Sequence, residues 1–324
     1  MSGTPGAART ARRIAAAAAM GGGGLTALGA AAYGLLLAEA LVARRIVGRP
    51  HGTDGPPSDG VYGAFGGEPI RMVMLGDSTS VGLGTTDPGE TPGVLIACGL
   101  AVIAERPVRL TVAGRSGATS ADLGDQVDEA LRARPEVAVV FVGANDITSQ
   151  TPPAQAVRHL QKAVRRLREA GAEVIVGTCP DLGTVRPIAQ PLRWVTRRWS
   201  RQLAAAQTVA VVEAGGRTVA FADLLGPEFD TNPAEMFSLD RYHPSAQGYL
   251  QVAYAVLPSV CNALGLWPEP RVRRSESIYL AAVKAAEEPG AEVSATRVAG
   301  RATGTYGRWV TLLRRRPGAR PDDA

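Results

Sequence analysis

A chain of 324 residues, 45% of them apolar and 20% charged, has ample material for a core and an ordinary globular composition. Its 35 Lys and Arg and 30 Asp and Glu are unevenly placed: residues 1–50 and 270–324 each carry +5, leaving −5 on 51–269. An acidic middle lacks the footprint of a nucleic-acid-binding surface, so nucleic acid is not an expected partner, whereas basic flanks beside apolar sequence suit an anionic membrane surface. Cys98, Cys179 and Cys261 are widely spaced, with no CxxC and no clustered histidines, and indicate neither a zinc site nor a disulfide framework.

In chain order, the first feature is Ile14–Ala38, 25 residues without a charge, set between Arg12-Arg13 and Arg44-Arg45. As a helix it would extend roughly 37 Å, more than the ~30 Å hydrocarbon core. Residues 1–45 therefore read as a basic N-terminus and a transmembrane or signal-anchor helix. A cleaved signal peptide, processed near Ala30-Ala31-Ala32, is the rival reading, but it would leave "YGLLLAEALVA" on the mature N-terminus. Residues 46–69, rich in Gly and Pro, read as a linker.

From residue 70 to 268, strand and helix alternate. Short apolar runs at 71–75, 108–113, 137–142, 173–177 and 218–222 predict strands. Helices are expected at 91–106, 119–134, 152–171, 191–216 and 245–265, with Ser245 capping the last. Five all-apolar strands with intervening helices imply a five-stranded parallel sheet covered on both faces, a three-layer α/β/α sandwich. Ligands of such sheets bind at the carboxyl ends of the strands. Residues 269–324 turn to Arg, Glu, Ala and Gly and read as a basic, flexible tail.

The strand ends are where the chemistry is expected. "GDSTSVGLG" (76–84) follows the first strand, "GRSGATS" (114–120) the second and "GAND" (143–146) the third, while "DRYHP" (240–244) precedes the last helix. Ser78, His243 and Asp240 are the residue types of an activated hydroxyl, in which imidazole takes the serine proton and the carboxylate orients the imidazole. The other histidines are poorer candidates, since His51 lies in the linker and His159 on a basic helix face.

These four stretches, in this order, resemble the blocks of the SGNH hydrolases, also called GDSL lipases/esterases, over about residues 70–265. The resemblance implies an SGNH (flavodoxin-like) fold and a serine esterase without metal or organic cofactor. It implies Ser78 as nucleophile, His243 as base and Asp240 as orienting acid. For the oxyanion it implies Ser78 N–H, Gly117 N–H and the Asn145 side chain. The implied substrate is a small-molecule, lipid or O-acylated ester. An O-acetylesterase or acyltransferase on cell-envelope carbohydrate is an alternative, as is a non-catalytic membrane-tethered binding module. Together with the N-terminal helix, the expectation is a membrane-anchored enzyme whose catalytic domain is extracytoplasmic. Thr79 departs from the family's frequent leucine, and Val112-Ala113-Gly114 lacks its frequent asparagine.

A second enzyme reading takes "GRSGA" as a nucleophile elbow with Ser116 as nucleophile. It leaves Ser78 unexplained and places acid and base three residues apart, where an α/β-hydrolase uses separate loops. In the 191–216 helix, Leu192, Val195, Trp199 and Leu203 form the expected core stripe, with Trp194, Arg197, Arg198 and Arg201 towards the other face.

Overall fold

The computed structural model describes residues 54–221 and 231–267 continuously, with 32–43, 45–47, 52, 229 and the C-terminal pieces 275–277, 281–283, 285, 292–295, 297–298, 301–302 and 309–313. A helical segment, α1 (32–43), comes first, followed by β1 (Gly60–Tyr62), β2 (Ile70–Gly76), α2 (Pro92–Ala104), β3 (Val108–Val112), α3 (Leu123–Ala130), β4 (Val137–Phe141), α4 (Ala144–Thr148), α5 (Pro153–Glu169), β5 (Glu173–Gly177), α6 (Leu192–Glu213) and β6 (Arg217–Val219). Then come α7 (Pro233–Met236), α8 (Ala246–Ala263), β7 (Ser275–Ser277), β8 (Glu292–Ala295), β9 (Arg297–Val298), β10 (Arg301–Ala302) and β11 (Trp309–Leu313).

The five expected strands are β2 to β6. They pair in parallel in the order β3-β2-β4-β5-β6. Side chains on β2 divide by parity: Met72 and Met74 enter a core completed by α2 and α8, while Val73 and Leu75 enter a second core with α3 and α5. A continuous apolar run on a strand covered from both sides is thereby accounted for.

The sheet is larger than expected, and it is mixed. Beyond β6 it continues antiparallel through β8, β11 and β7, giving nine strands among the described residues, with β1 at the other edge. This corrects the five-stranded parallel sheet, since strands β7, β8 and β11, among the described pieces of 269–324, join it. Val293 of β8 is fully buried against Val212, Ala220, Ala281 and Ala285, which supplies the apolar contact that holds the extension. At the opposite edge, β1 arises inside the presumed linker and pairs antiparallel with β3. Just before it, the Asp59 carboxylate accepts the Val112 N–H at 2.7 Å, and Tyr62 hydroxyl donates to Ser58 O at 2.7 Å.

Among the described residues, no helix is long and apolar enough to cross a membrane. Most of the expected span, residues 14–31, lies outside the described residues, and 32–38 form the start of α1.

β2 neighbours β3 on one side and β4 on the other, so the connections leaving it diverge at the β2 carboxyl end. Sheets of this kind bind ligands at such a switch point. Register places Gly76 opposite Phe141 and Met74 opposite Val112, so the loops that follow all three strands emerge at one edge.

Among the described residues, one buried polar side chain is unsatisfied. Thr218, buried on β6, has no hydrogen-bond partner for Oγ1. An orphaned hydroxyl costs about 1–3 kcal/mol relative to an apolar group of similar shape. Thr218→Val is therefore expected to raise the thermal midpoint by a few degrees, read by calorimetry; a lowered midpoint would contradict it.

Candidate active site

The β2 terminus fixes the first functional side chain. Gly76 has φ +123, and a Cβ there would lie 1.8 Å from Phe141 O, so only glycine lets β2 and β4 approach this closely. Its N–H donates to Gln126 Oε1 at 2.7 Å and its carbonyl accepts from Gln126 Nε2 at 3.0 Å, a side-chain imitation of strand pairing made from α3. The chain then turns tightly: Asp77 N–H donates to Phe141 O at 2.8 Å, Ser80 N–H to Asp77 O at 3.0 Å and Leu83 N–H to Ser78 O at 3.0 Å. Ser78 is thus held by its backbone, with its side chain free to meet a partner from another loop.

That partner is His243. Its Nε2 lies 3.0 Å from Ser78 Oγ, and its Nδ1 lies 2.6 Å from Asp240 Oδ2. The two side chains from "DRYHP" retain only 13% and 3% of their exposure. Asp240 is saturated on its other oxygen too: Oδ1 accepts from Ser238 Oγ at 2.8 Å, Tyr242 N–H at 2.9 Å and His243 N–H at 2.9 Å. Burial opposes its charge, but the hydrogen bonds and charge of His243 prevail and hold its pKa at about 2. The loop is closed behind by Ser238 N–H on His243 O at 2.9 Å and Ser245 N–H on Met236 O at 2.9 Å. Ser245 caps α8 as expected, accepting from Gly248 N–H at 3.2 Å.

The remaining expected residues stand on the neighbouring loops. Gly117 follows β3 with φ +80. Asn145 is in the first turn of α4, directly after β4, and its Nδ2 donates to Ala118 O at 3.0 Å, which ties its loop to the Gly117 loop. Beneath them, buried Asp146 accepts from Ser120 N–H and, at 2.8 Å, from Ser120 Oγ. The imidazole engages Ser78, so the elbow reading that assigned Ser116 to it is not the arrangement seen.

Several side chains that build this site were not singled out from sequence. Besides Gln126 and Ser238 they include Gln207 of α6, which accepts from Cys179 N–H at 2.7 Å and donates to Val142 O at 3.0 Å, and Tyr249, whose hydroxyl donates to Leu83 O at 2.6 Å. A signal existed for Gln126: three residues after Leu123 and one before Val127, it occupies the apolar face of its helix. The expected α6 stripe needs correction as well. Trp199 is 43% exposed, while Thr196, Ser200, Leu203, Ala204 and Gln207 face inward. Polar anchors set that rotation, since Ser200 Oγ accepts Leu182 N–H at 3.3 Å alongside the Gln207 bonds.

A cavity of about 40 Å³ adjoins Ser78 and His243, walled by Phe141, Leu182, Val185, Phe221 and Val252. At ~10–15 Å³ per water, this is room for about three waters. Its apolar walls suit a short hydrocarbon chain better than a polyhydroxylated one. Among the described residues, no group of three or more His, Cys, Asp or Glu is arranged to hold a metal ion.

Residues 74–250 match the GDSL-like lipase/acylhydrolase family. Over 258 residues the chain is 41% identical to the GDSL-like esterase Rv1075c of Mycobacterium tuberculosis (strain ATCC 25618 / H37Rv), an alignment covering 75% of this chain and 82% of that protein. Among solved structures, it is similar to a mutant of Axe2, an acetyl-xylooligosaccharide esterase from a Geobacillus, with TM-score 0.46 and 18% identity over 62% of this chain and 97% of that one. TesA gives TM-score 0.46 and 23% identity over 60% of this chain and 99% of its own.

Asp77, beside Ser78, provides a test of the site's electrostatics. Burial pushes its carboxyl up to about 6, against the Thr79 N–H bond and the charge of His243. The ordinary value is 3.8, so the native preference for neutral Asp77 stabilises below that pH and is lost as pH rises through about 6. Asp240 has the opposite sign: its contribution is present above 3.8 and lost as pH falls towards about 2. Asp77→Asn keeps an acceptor for Thr79 and removes the first effect. Near pH 7 the variant should gain up to about 3 kcal/mol on wild type, and the gain should vanish near pH 4. Thermal melts across that range check it, and a pH-independent difference would refute the assignment.

Proposed function

The chain belongs to the GDSL-like lipase/acylhydrolase family and is a carboxylic ester hydrolase; from that premise we propose that it cleaves esters of short acyl chains through an acyl-Ser78 intermediate. The observation that carries this reading is the continuous relay from Asp240 Oδ2 through both ring nitrogens of His243 to Ser78 Oγ. Ser78 Oγ attacks the ester carbonyl carbon while His243 Nε2 accepts the hydroxyl proton. Asp240, held ionised, fixes the Nδ1–H tautomer and stabilises the imidazolium. The tetrahedral intermediate collapses as its C–O bond breaks, and His243 returns the proton to the departing alkoxide. Water then attacks the acyl-serine, His243 again takes and returns a proton, and the carboxylic acid leaves with Ser78 regenerated.

Charge on the carbonyl oxygen is met by the N–H groups of Ser78 and Gly117 and by Asn145 Nδ2. Three adjacent loops contribute these donors, and the Asn145–Ala118 bond holds two of the loops in fixed relation. One such donor is worth ~3 kcal/mol at the transition state. The small apolar cavity accepts the acyl chain and supports acetyl to butyryl esters ahead of long-chain lipids.

Ser78→Ala should abolish turnover of p-nitrophenyl acetate and labelling by a fluorophosphonate. Asp240→Asn should lower kcat by about 10³–10⁴, and Asn145→Ala by about 10²–10³ with little change in KM. Across p-nitrophenyl esters from acetate to octanoate, kcat/KM should peak at butyrate or below. Undiminished hydrolysis by Ser78→Ala would overturn the assignment of the nucleophile, and a maximum at octanoate would overturn the acyl preference.

A further inference from the structure

Helix α1 is folded inside out for a helix in water. Its only charged residue, Glu39, turns inward, where Oε2 accepts the Leu192 N–H at 2.9 Å and so caps the start of α6. Four residues on, Ala43 is buried in a cluster with Ile147, Leu182, Val185 and Ile188. Positions 36, 39, 40 and 43, the helical spacing of a single stripe, are the less exposed ones and form the docked face. The outward face is apolar: Tyr33, Leu35, Leu37, Leu41, Val42 and, in the helical residues 45–47 that follow, Ile46 are each between 41% and 57% exposed. On α6, whose start Glu39 caps, Trp194 and Trp199 add 60% and 43% exposure.

We propose that this α1–α6 face seats the protein on an anionic lipid bilayer, with α1 lying along the membrane surface and Trp194 and Trp199 at headgroup depth. An apolar surface of this extent is out of place in water. Lipid is favoured over a protein partner by the character of its surroundings. Cations accompany it, with Arg45 and Arg198 exposed, and the only acid of α1 is tucked away from it. Apolar helix face, interfacial tryptophans and basic rim are the three features of a surface-lying amphipathic segment. The geometry also has a consequence for catalysis. Leu182 and Val185, which pack in one cluster with Ala43, are walls of the cavity beside Ser78, so the surface that meets lipid and the surface that meets substrate share one packed unit.

The test uses the full chain and reads binding, independently of whether the ester chemistry proposed above is right. Tryptophan fluorescence is followed as protein is mixed with vesicles of phosphatidylcholine alone or with equal phosphatidylglycerol, with and without bromine-labelled lipid. Wild type should show a blue shift and bromolipid quenching, and the pair Trp194→Phe with Trp199→Phe should lose most of that quenching. Arg45→Gln with Arg198→Gln should lose at least a several-fold preference for phosphatidylglycerol. Both pairs should keep the wild-type far-ultraviolet circular dichroism and thermal midpoint, which shows that they fold. Quenching unchanged in the tryptophan pair would assign binding to other residues and overturn the proposal. No quenching in wild type, or a lipid-free dimer that shields both tryptophans from acrylamide, would overturn it equally.

Discussion

Everything at the site depends on one short turn, Ser238 to His243, wound around a single carboxylate. Asp240 accepts two backbone N–H groups, a serine hydroxyl and the imidazole, so the same ion that orients His243 also folds the loop that presents it. Arg241 adopts a left-handed φ of +56 within this turn. Four hydrogen bonds to a buried anion, one of them to the imidazole, are what tolerate that conformation. Geometry and protonation are therefore not separate requirements here. A group too acidic to be neutral under ordinary conditions is also one whose partners are always in place.

The opposing half of the site is held by a different device. The ends of β2 and β4 are fixed by buried glutamines, Gln126 on Gly76 and Gln207 on Val142 and Cys179. Each amide offers a donor and an acceptor at fixed separation, as a neighbouring strand would, but reaches from a helix. Strand termini that would otherwise fray are thus locked to α3 and α6, which pack on the same face of the sheet. Ser78 and His243, 165 residues apart in sequence, meet at hydrogen-bond distance because both loops are braced by polar groups inside an apolar core.

That division explains what could be read from the amino-acid order. "GDS", "GAND" and "DRYHP" are local signals: the first two stand at strand ends where short apolar runs predict them, and the third lies directly before α8. The parallel strands were legible for the same reason, since burial on both faces writes itself as continuous Val, Ile and Leu. Bracing interactions were not, because Gln126 and Gly76 are 50 residues apart and nothing local marks the pairing. Trp199 was misplaced for a related cause: apolar periodicity suggested one rotation of α6, but hydrogen bonds to Ser200 and Gln207 impose another. The antiparallel additions β7, β8 and β11 escaped because strands of three to five residues, in a basic and Ala-rich segment, carry too short an alternation to register.

The smallest strand has an effect out of proportion to its length. Without β1, the outer side of β3 would be an open row of donors and acceptors, a template on which another copy of the chain could align. β1 covers three residues of it, and just before β1 begins the Asp59 carboxylate takes the next N–H, that of Val112. A charged side chain in place of a fourth ladder bond stops the pattern from propagating and leaves an arriving strand facing a negative charge. The edge is thereby made a terminus, and the sheet is protected against templated self-assembly by a strand hidden in what composition alone had marked as a linker.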